Sequence, residues 1–211
     1  MDSFTDRWEK NDNPSIADTI RQTVRPAGPL KPRIQGATRR IQTQVQKLDQ
    51  ASTHFEARDK TLFNNVVDAM VKHETNRANV LANELAEIRK MQKMVLRSKL
   101  ALEQIVLRMS TVEELGDIAV TLMPAISVLR DVKTGMSGVS PQIERELGDI
   151  SNILSSIVMD AGGVTGSSLS FDTTSEDSQR ILEEAATMAE QRMKDTFPDL
   201  PGKSKIGETL S

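Results

Sequence analysis

Between Arg33 and Met123 the chain contains no proline, and the 26 residues ELAEIRKMQKMVLRSKLALEQIVLRM, ending at Met109, contain no glycine either. Apolar residues recur there in steps of three and four. Leu81, Leu85, Ile88, Gln92, Val95, Lys99, Leu102, Val106 and Met109 trace a seam that is apolar at seven of nine positions. That is the period of a helix packed along another helix. A helix from about Leu62 to Met109 would extend about 70 Å at 1.5 Å per residue. Such a rod buries its seam most simply against a second rod running antiparallel to it. Met91, Met94, Leu96, Leu100 and Leu107 lie off the seam. They are surplus apolar surface, on which shorter helices of the same chain or neighbouring subunits are expected to dock.

The second rod begins at Arg33. Ile34, Ala37, Ile41, Leu48, Ala51 and Phe55 continue the three-and-four spacing, interrupted by Gln44 with Val45 beside it. Arg33, Arg39, Arg40 and Lys47 lie largely off that stripe. The expected turn of the hairpin is EARDKT, Glu56 to Thr61, although neither glycine nor proline marks it. Further on, Ser110 or Thr111 reads as an N-cap, with Glu113 or Glu114 in the capping-box position. Pro124 is expected to kink or split the following helix. Ser140 and Pro141 form a strong helix start after the linker TGMSGVSP. The spacing therefore predicts an all-α protein: a long antiparallel helical hairpin with shorter packed helices, a flexible linker and an acidic C-terminal helix. The expected divisions are an N-terminal amphipathic segment over 1–29 and a helical core over 30–161, with the hairpin at about 33–109. A disordered linker over 162–178, an acidic helix over 179–197 and a mobile tail over 198–211 complete the chain.

Composition agrees with rods rather than a thick core. Aromatic residues make up 3 % and charged residues 27 % of the chain, and there is no cysteine. Disulfides, thiolate metal sites and cysteine nucleophiles are thereby excluded, which suits a cytoplasmic location. No stretch has the roughly 18 consecutive apolar residues of a membrane span, and the polar N-terminus does not read as a signal peptide. The net charge of −3 hides a polarity. Residues 30–108 carry 15 Lys and Arg against 8 Asp and Glu, whereas residues 109–211 carry 8 against 17. A basic first half suggests an anionic partner, and an acidic second half suggests attraction between the two.

Catalytic chemistry is not legible. His54 and His73 are nineteen residues apart, and HETNR lacks the second histidine that would place two imidazoles on one helical face. GGVTGSS has no Lys-Ser/Thr closing it and no preceding strand, so it reads as a linker rather than a phosphate loop. The pairs Glu113/Glu114 and Glu183/Glu184 are adjacent, in capping or solvated positions without an apolar pocket. No enzyme activity, cofactor, metal or nucleic-acid partner is expected.

The order of parts, together with the block GPLKPRIQGATRRIQTQVQKLD from Gly28 to Asp49, resembles the ESCRT-III (Snf7-like) superfamily. The resemblance is to its archaeal cell-division branch, CdvB, and spans about residues 26–197. It rests on the Pro-Leu-Lys-Pro entry, the Arg- and Gln-rich first helix, the long second helix and the charge polarity. It implies a protein that polymerises with itself and with paralogous subunits on an anionic membrane, peripheral to the inner face of the cell membrane at the division site. Filaments of this kind constrict or sever membranes, and a partner AAA-type ATPase remodels them through its MIT domain. PspA/Vipp-like membrane-stress proteins and soluble coiled-coil adaptors are the alternative readings.

Residue by residue, the resemblance implies membrane binding by Arg33, Arg39, Arg40 and Lys47. Phe4 and Trp8, four residues apart on one helical face, would seat in the interface. Glu183, Glu184 and Glu190 would fold back on the basic hairpin and hold the monomer closed. The family's helical MIT-binding motif is poorly met, because Ala189, Met193 and Thr196 stand at its leucine positions around Arg192. The extended type is better matched by FPDLPGKSKI, which makes Phe197, Pro198, Leu200, Pro201 and Ile206 the expected MIT-binding residues. The chain also lacks room for the winged-helix segment of the longer paralogues, which points to a short paralogue.

Overall fold

The computed structural model describes residues 29–111, 118–165 and 172–197. Five helices occupy them: α1 (Leu30–Val71), α2 (Thr75–Ser110), α3 (Ile118–Met136), α4 (Pro141–Thr165) and α5 (Asp172–Thr196). The fold is all-α, as the periodicity predicts. Phe4, Trp8, the capping candidates Glu113 and Glu114, and the tail from Pro198 onward lie outside the described residues.

α1 starts at Leu30, three residues before the expected start. Pro32 then stands in the first turn, where an N–H would have no intrahelical acceptor and the ring costs little. The helix does not turn at Glu56–Thr61. It runs 42 residues to Val71, about 63 Å, and the chain reverses at Lys72–Glu74. The reason is that the seam continues through polar residues: Ser52 and Asp59 are buried in line with Leu62, Val66 and Ala69. The reversal itself is a Schellman motif. The Glu74 N–H donates to the Ala69 carbonyl at 2.9 Å, and the His73 N–H to the Met70 carbonyl at 3.0 Å. His73 holds the left-handed position with φ 56°, where glycine is the usual residue. His73→Gly should therefore raise the unfolding free energy by about 1 kcal/mol, visible as a higher urea midpoint with unchanged slope.

α1 and α2 pair along their whole length, and the remaining helices pack mainly on one end. The N-terminal half of α1 and the C-terminal half of α2 join α3, α4 and α5 in one core, with Ile41, Leu102, Leu122, Leu129, Leu147 and Leu154 completely buried. The other end of the hairpin has its own small cluster of Leu62, Val66, Leu85 and Ile88, with Phe63 and Met91 against it. Of the surplus apolar residues, Leu96 and Leu100 are buried in the main core and Met94 packs on its edge. The same chain covers them, and of that set only Leu107 is left mostly exposed, at 67 %.

α3 continues through Pro124 as one helix and is not split there. The carbonyl that loses its N–H donor is that of Val120, a residue 67 % exposed. Ser140 caps α4 as expected, accepting from the Ile143 N–H at 3.4 Å. Ser110 is instead the last residue of α2, its hydroxyl donating to the Leu107 carbonyl. The expected linker is shorter than 162–178: α4 extends to Thr165 and α5 begins at Asp172. Ser178, the last residue of that segment, is buried.

Candidate interaction surfaces

From Leu30 to Leu48, five turns of α1, there is no acidic residue, while Lys31, Arg33, Arg39, Arg40 and Lys47 all fall within the stretch. The helix divides these cations between two environments. Arg33 and Lys47 face α4. Arg33 donates to Asp160 Oδ2 at 2.5 Å and to Ser156 Oγ at 2.9 Å, and Lys47 Nζ meets Glu146 Oε2 at 2.6 Å. Arg39 and Arg40 are exposed and make no ion pair with any described residue. Of the four cations that the resemblance assigned to lipid, two are thus engaged within the fold and two stand open to solvent.

Glu146 has three donors around it. Lys47, Gln142 and the buried Gln44 all donate to its carboxylate, and together they hold its pKa down at about 2, against an ordinary 4.5. A folded-state value below the unfolded one means stability that is fully present above pH 4.5 and is lost as pH falls towards 2. The side chains of this pair are about one-third exposed, 32 % for Lys47 and 33 % for Glu146, so the effect is screened. Glu146→Gln should cost on the order of 1 kcal/mol at pH 7. Melting curves of the two proteins should converge as pH falls from 4.5 to 2, where wild-type Glu146 also becomes neutral.

The acidic helix does fold back on the hairpin, with an apolar stripe turned to the core. Ile181, Ala185 and Ala189, four residues apart, are fully buried against the core. Among the three glutamates expected to act there, Glu190 lies 3.6 Å from Lys93 and Glu184 accepts from Gln104 at 3.4 Å. Glu183 is exposed. Both members of the Lys93–Glu190 pair are about half exposed, 51 % and 54 %, so its share of the docking is below about 1 kcal/mol. Ala189, at a leucine position of the helical MIT-binding motif, is fully buried in this contact.

At the end of α5, Phe197 reaches the distal half of the hairpin. The Arg89 guanidinium lies 5.5 Å from its ring centroid and 5.9 Å from that of Phe63, both within cation–π range. Asp59 fixes Arg89 through a two-point pair, Nε to Oδ1 at 2.6 Å and Nη2 to Oδ2 at 3.3 Å. Their side chains are 16 % and 5 % exposed, which makes this the most deeply buried ion pair among the described residues. Phe197 is thereby engaged with the hairpin; Pro198, Leu200, Pro201 and Ile206 lie outside the described residues. Sequence reasoning missed Asp59 and Arg89. Their signal was present, since a buried aspartate in seam register requires a cation on the facing helix.

No helix of the structure is long and apolar enough to cross a membrane, among the described residues. No group of three or more His, Asp or Glu side chains is arranged to hold a metal ion, again among the described residues. A groove of about 510 Å³ lies between α1 and the α3–α4 turn, floored by Leu48, Phe55, Val95, Met136 and Ile143.

No protein-family model matches the chain, and no solved structure matches it. Two curated proteins of the archaeon Sulfolobus acidocaldarius do. Cell division protein B1 is 41 % identical over 198 residues, which cover 94 % of this chain and 89 % of that relative. Cell division protein B is 30 % identical over 162 residues, which cover 77 % of this chain and 62 % of that relative. With the first of these aligned over nearly its whole length, the chain belongs to the archaeal Cell division protein B family, the CdvB-type proteins.

Proposed function

We propose that this protein is a cell-division component of ESCRT-III type that assembles into filaments on an anionic membrane and remodels it during scission. The observation that carries the reading is the acid-free stretch of α1, with Arg39 and Arg40 exposed and uncompensated, in a chain related to proteins named for cell division. Basic residues near an anionic bilayer each contribute about 1 kcal/mol, which is too little for one subunit and enough for a polymer. Phe4 and Trp8 would add an interfacial anchor ahead of this face. The site of action is the inner face of the cell membrane at the division plane, and paralogous subunits are the expected copolymer partners.

Cycling requires a way to remove subunits. In this reading the segment from Phe197 to Ile206 is the handle for the MIT domain of a partner AAA-type ATPase, and α5 is the element that keeps the monomer closed. Phe197 must then leave Arg89 before the handle is fully available. Deletion of residues 197–206 should abolish MIT binding; retained affinity would remove the handle from the proposal.

The membrane step is tested by sedimentation with vesicles. Arg39→Glu with Arg40→Glu reverses two of the exposed cations of this stretch and should lower partitioning onto anionic vesicles by two orders of magnitude or more, on the scale of about 1 kcal/mol per charge. Wild-type binding should fall with added salt. Unchanged binding by the double variant would exclude this face. A fixed oligomer indifferent to lipid and salt would favour a soluble coiled-coil adaptor instead.

A further inference from the structure

Arg33, Arg40 and Lys47 are spaced seven residues apart on α1. Seven residues bring an α-helix back to nearly the same face, about 10 Å further along the axis. α4 carries a stripe of the same period: Glu146, Ile153 and Asp160. The two stripes meet antiparallel. Arg33 pairs with Asp160 at 2.5 Å, and Lys47 pairs with Glu146 at 2.6 Å. Counting midway between those two pairs, the α4 position level with Arg40 is Ile153, which has no carboxylate, and Arg40 is exposed. The middle of a three-cation row is therefore open, and its two ends are covered by the acids of one helix.

Both covering pairs are reached by water. The side chains of Arg33 and Asp160 are 30 % and 36 % exposed, and those of Lys47 and Glu146 are similar. Ion pairs of this kind hold by a small margin, and a phosphate oxyanion offers a guanidinium the same two-point geometry as a carboxylate.

We propose that Arg33, Arg40 and Lys47 form one docking row for an anionic phospholipid surface, of which α4 covers the two ends through Asp160 and Glu146. Lipid headgroups first meet Arg40 and then compete with α4 for its neighbours, so contact with the membrane loosens α4 from α1. The proposal rests on the membrane reading above and adds to it the element that limits it. Charge complementarity argues for the bilayer as occupant: a row of cations about 10 Å apart fits a continuous sheet of phosphates better than one small anion.

The test uses the full chain and vesicles of phosphatidylcholine with phosphatidylserine. Glu146→Gln with Asp160→Asn should raise partitioning by on the order of tenfold over a charge-matched control, Asp131→Asn with Asp149→Asn, whose carboxylates are exposed elsewhere on α3 and α4. Adding Arg33→Gln and Lys47→Gln should remove that gain. A rise no larger than the control's, or one that survives loss of the two cations, would overturn the proposal. Wild-type binding without any gain in the α4 variant would sink this inference alone; no binding by either protein would sink the membrane reading with it. Should the α4 variant fold poorly, hydrogen exchange on wild type gives the second reading. Amides of 146–160 should lose protection on anionic vesicles and keep it with soluble glycerophosphate at equal phosphate concentration. Unchanged protection on vesicles, or equal loss with the soluble phosphate, would contradict a membrane-competed cover.

Discussion

Asp59→Ala should lower the unfolding free energy by about 3 kcal/mol, the scale of breaking a buried ion pair by removing one partner. Asp59 stands inside the hairpin seam at 5 % side-chain exposure, and its two-point pair fixes Arg89 between the rings of Phe63 and Phe197. Removing the carboxylate takes away the two-point pair of a largely buried guanidinium that lies against the rings of Phe63 and Phe197. Asp59→Asn keeps one acceptor and should cost less. Replacing both partners, Asp59→Leu with Arg89→Met, should come out close to neutral, because a buried pair stabilises little relative to apolar residues of similar volume. What the pair supplies is register: a hairpin shifted by one turn would bury Asp59 without its partner. Urea unfolding of the three variants checks this, and an Asp59→Ala midpoint at the wild-type value would remove the pair from the account.

The second large effect concerns α5. Ala185 is completely buried, and Ala185→Asp would place a carboxylate against apolar side chains with no cation provided for it. The least costly response is for α5 to leave the hairpin, because Ile181, Ala185 and Ala189 are its fully buried contribution to a core that α1–α4 otherwise share. Docking should weaken by several kcal/mol, and hydrogen exchange should show α5 amides unprotected while those of α1 and α2 near Leu48 and Leu102 stay slow. Salt should not imitate the substitution. The contact is apolar, and the half-exposed Lys93–Glu190 pair is a minor part of it. Undiminished α5 protection in Ala185→Asp would show that this helix is held by something other than the Ile181–Ala185–Ala189 stripe.

Local periodicity was enough to recover the paired rods and the Ser140 cap. The fold-back of α5 was legible only in the opposite charges of the two halves and in the resemblance, since its contacts span 80 residues or more. The turn was lost for a specific reason. A search for glycine or proline passes over His73, and Ser52 and Asp59 look like the end of an apolar stripe unless their partners on α2 are known. Gln92 is the partner of the first, donating to Ser52 at 2.8 Å from a buried position. The cationic face was read correctly as lying off the core stripe, yet half of it proved to be covered. Arg33 and Lys47 meet acids 127 and 99 residues away, beyond any local rule. Only the matching seven-residue spacing of Glu146 and Asp160 carried a trace of that contact. The direction of the acidic helix was legible, but its buried stripe of Ile181, Ala185 and Ala189 was not, because their partners lie on α2 and α3.

The claim on which the account rests is that the exposed basic face of α1 brings this chain to anionic membranes as a polymer. Negative-stain electron microscopy of the full chain, with anionic and with neutral vesicles, addresses it most directly. The account predicts filaments or coated tubules on the anionic vesicles, none on the neutral ones, and loss of both coat and filaments in Arg39→Glu with Arg40→Glu. Bare anionic vesicles beside a monodisperse protein, persisting when Ala185→Asp has freed α5, would contradict it.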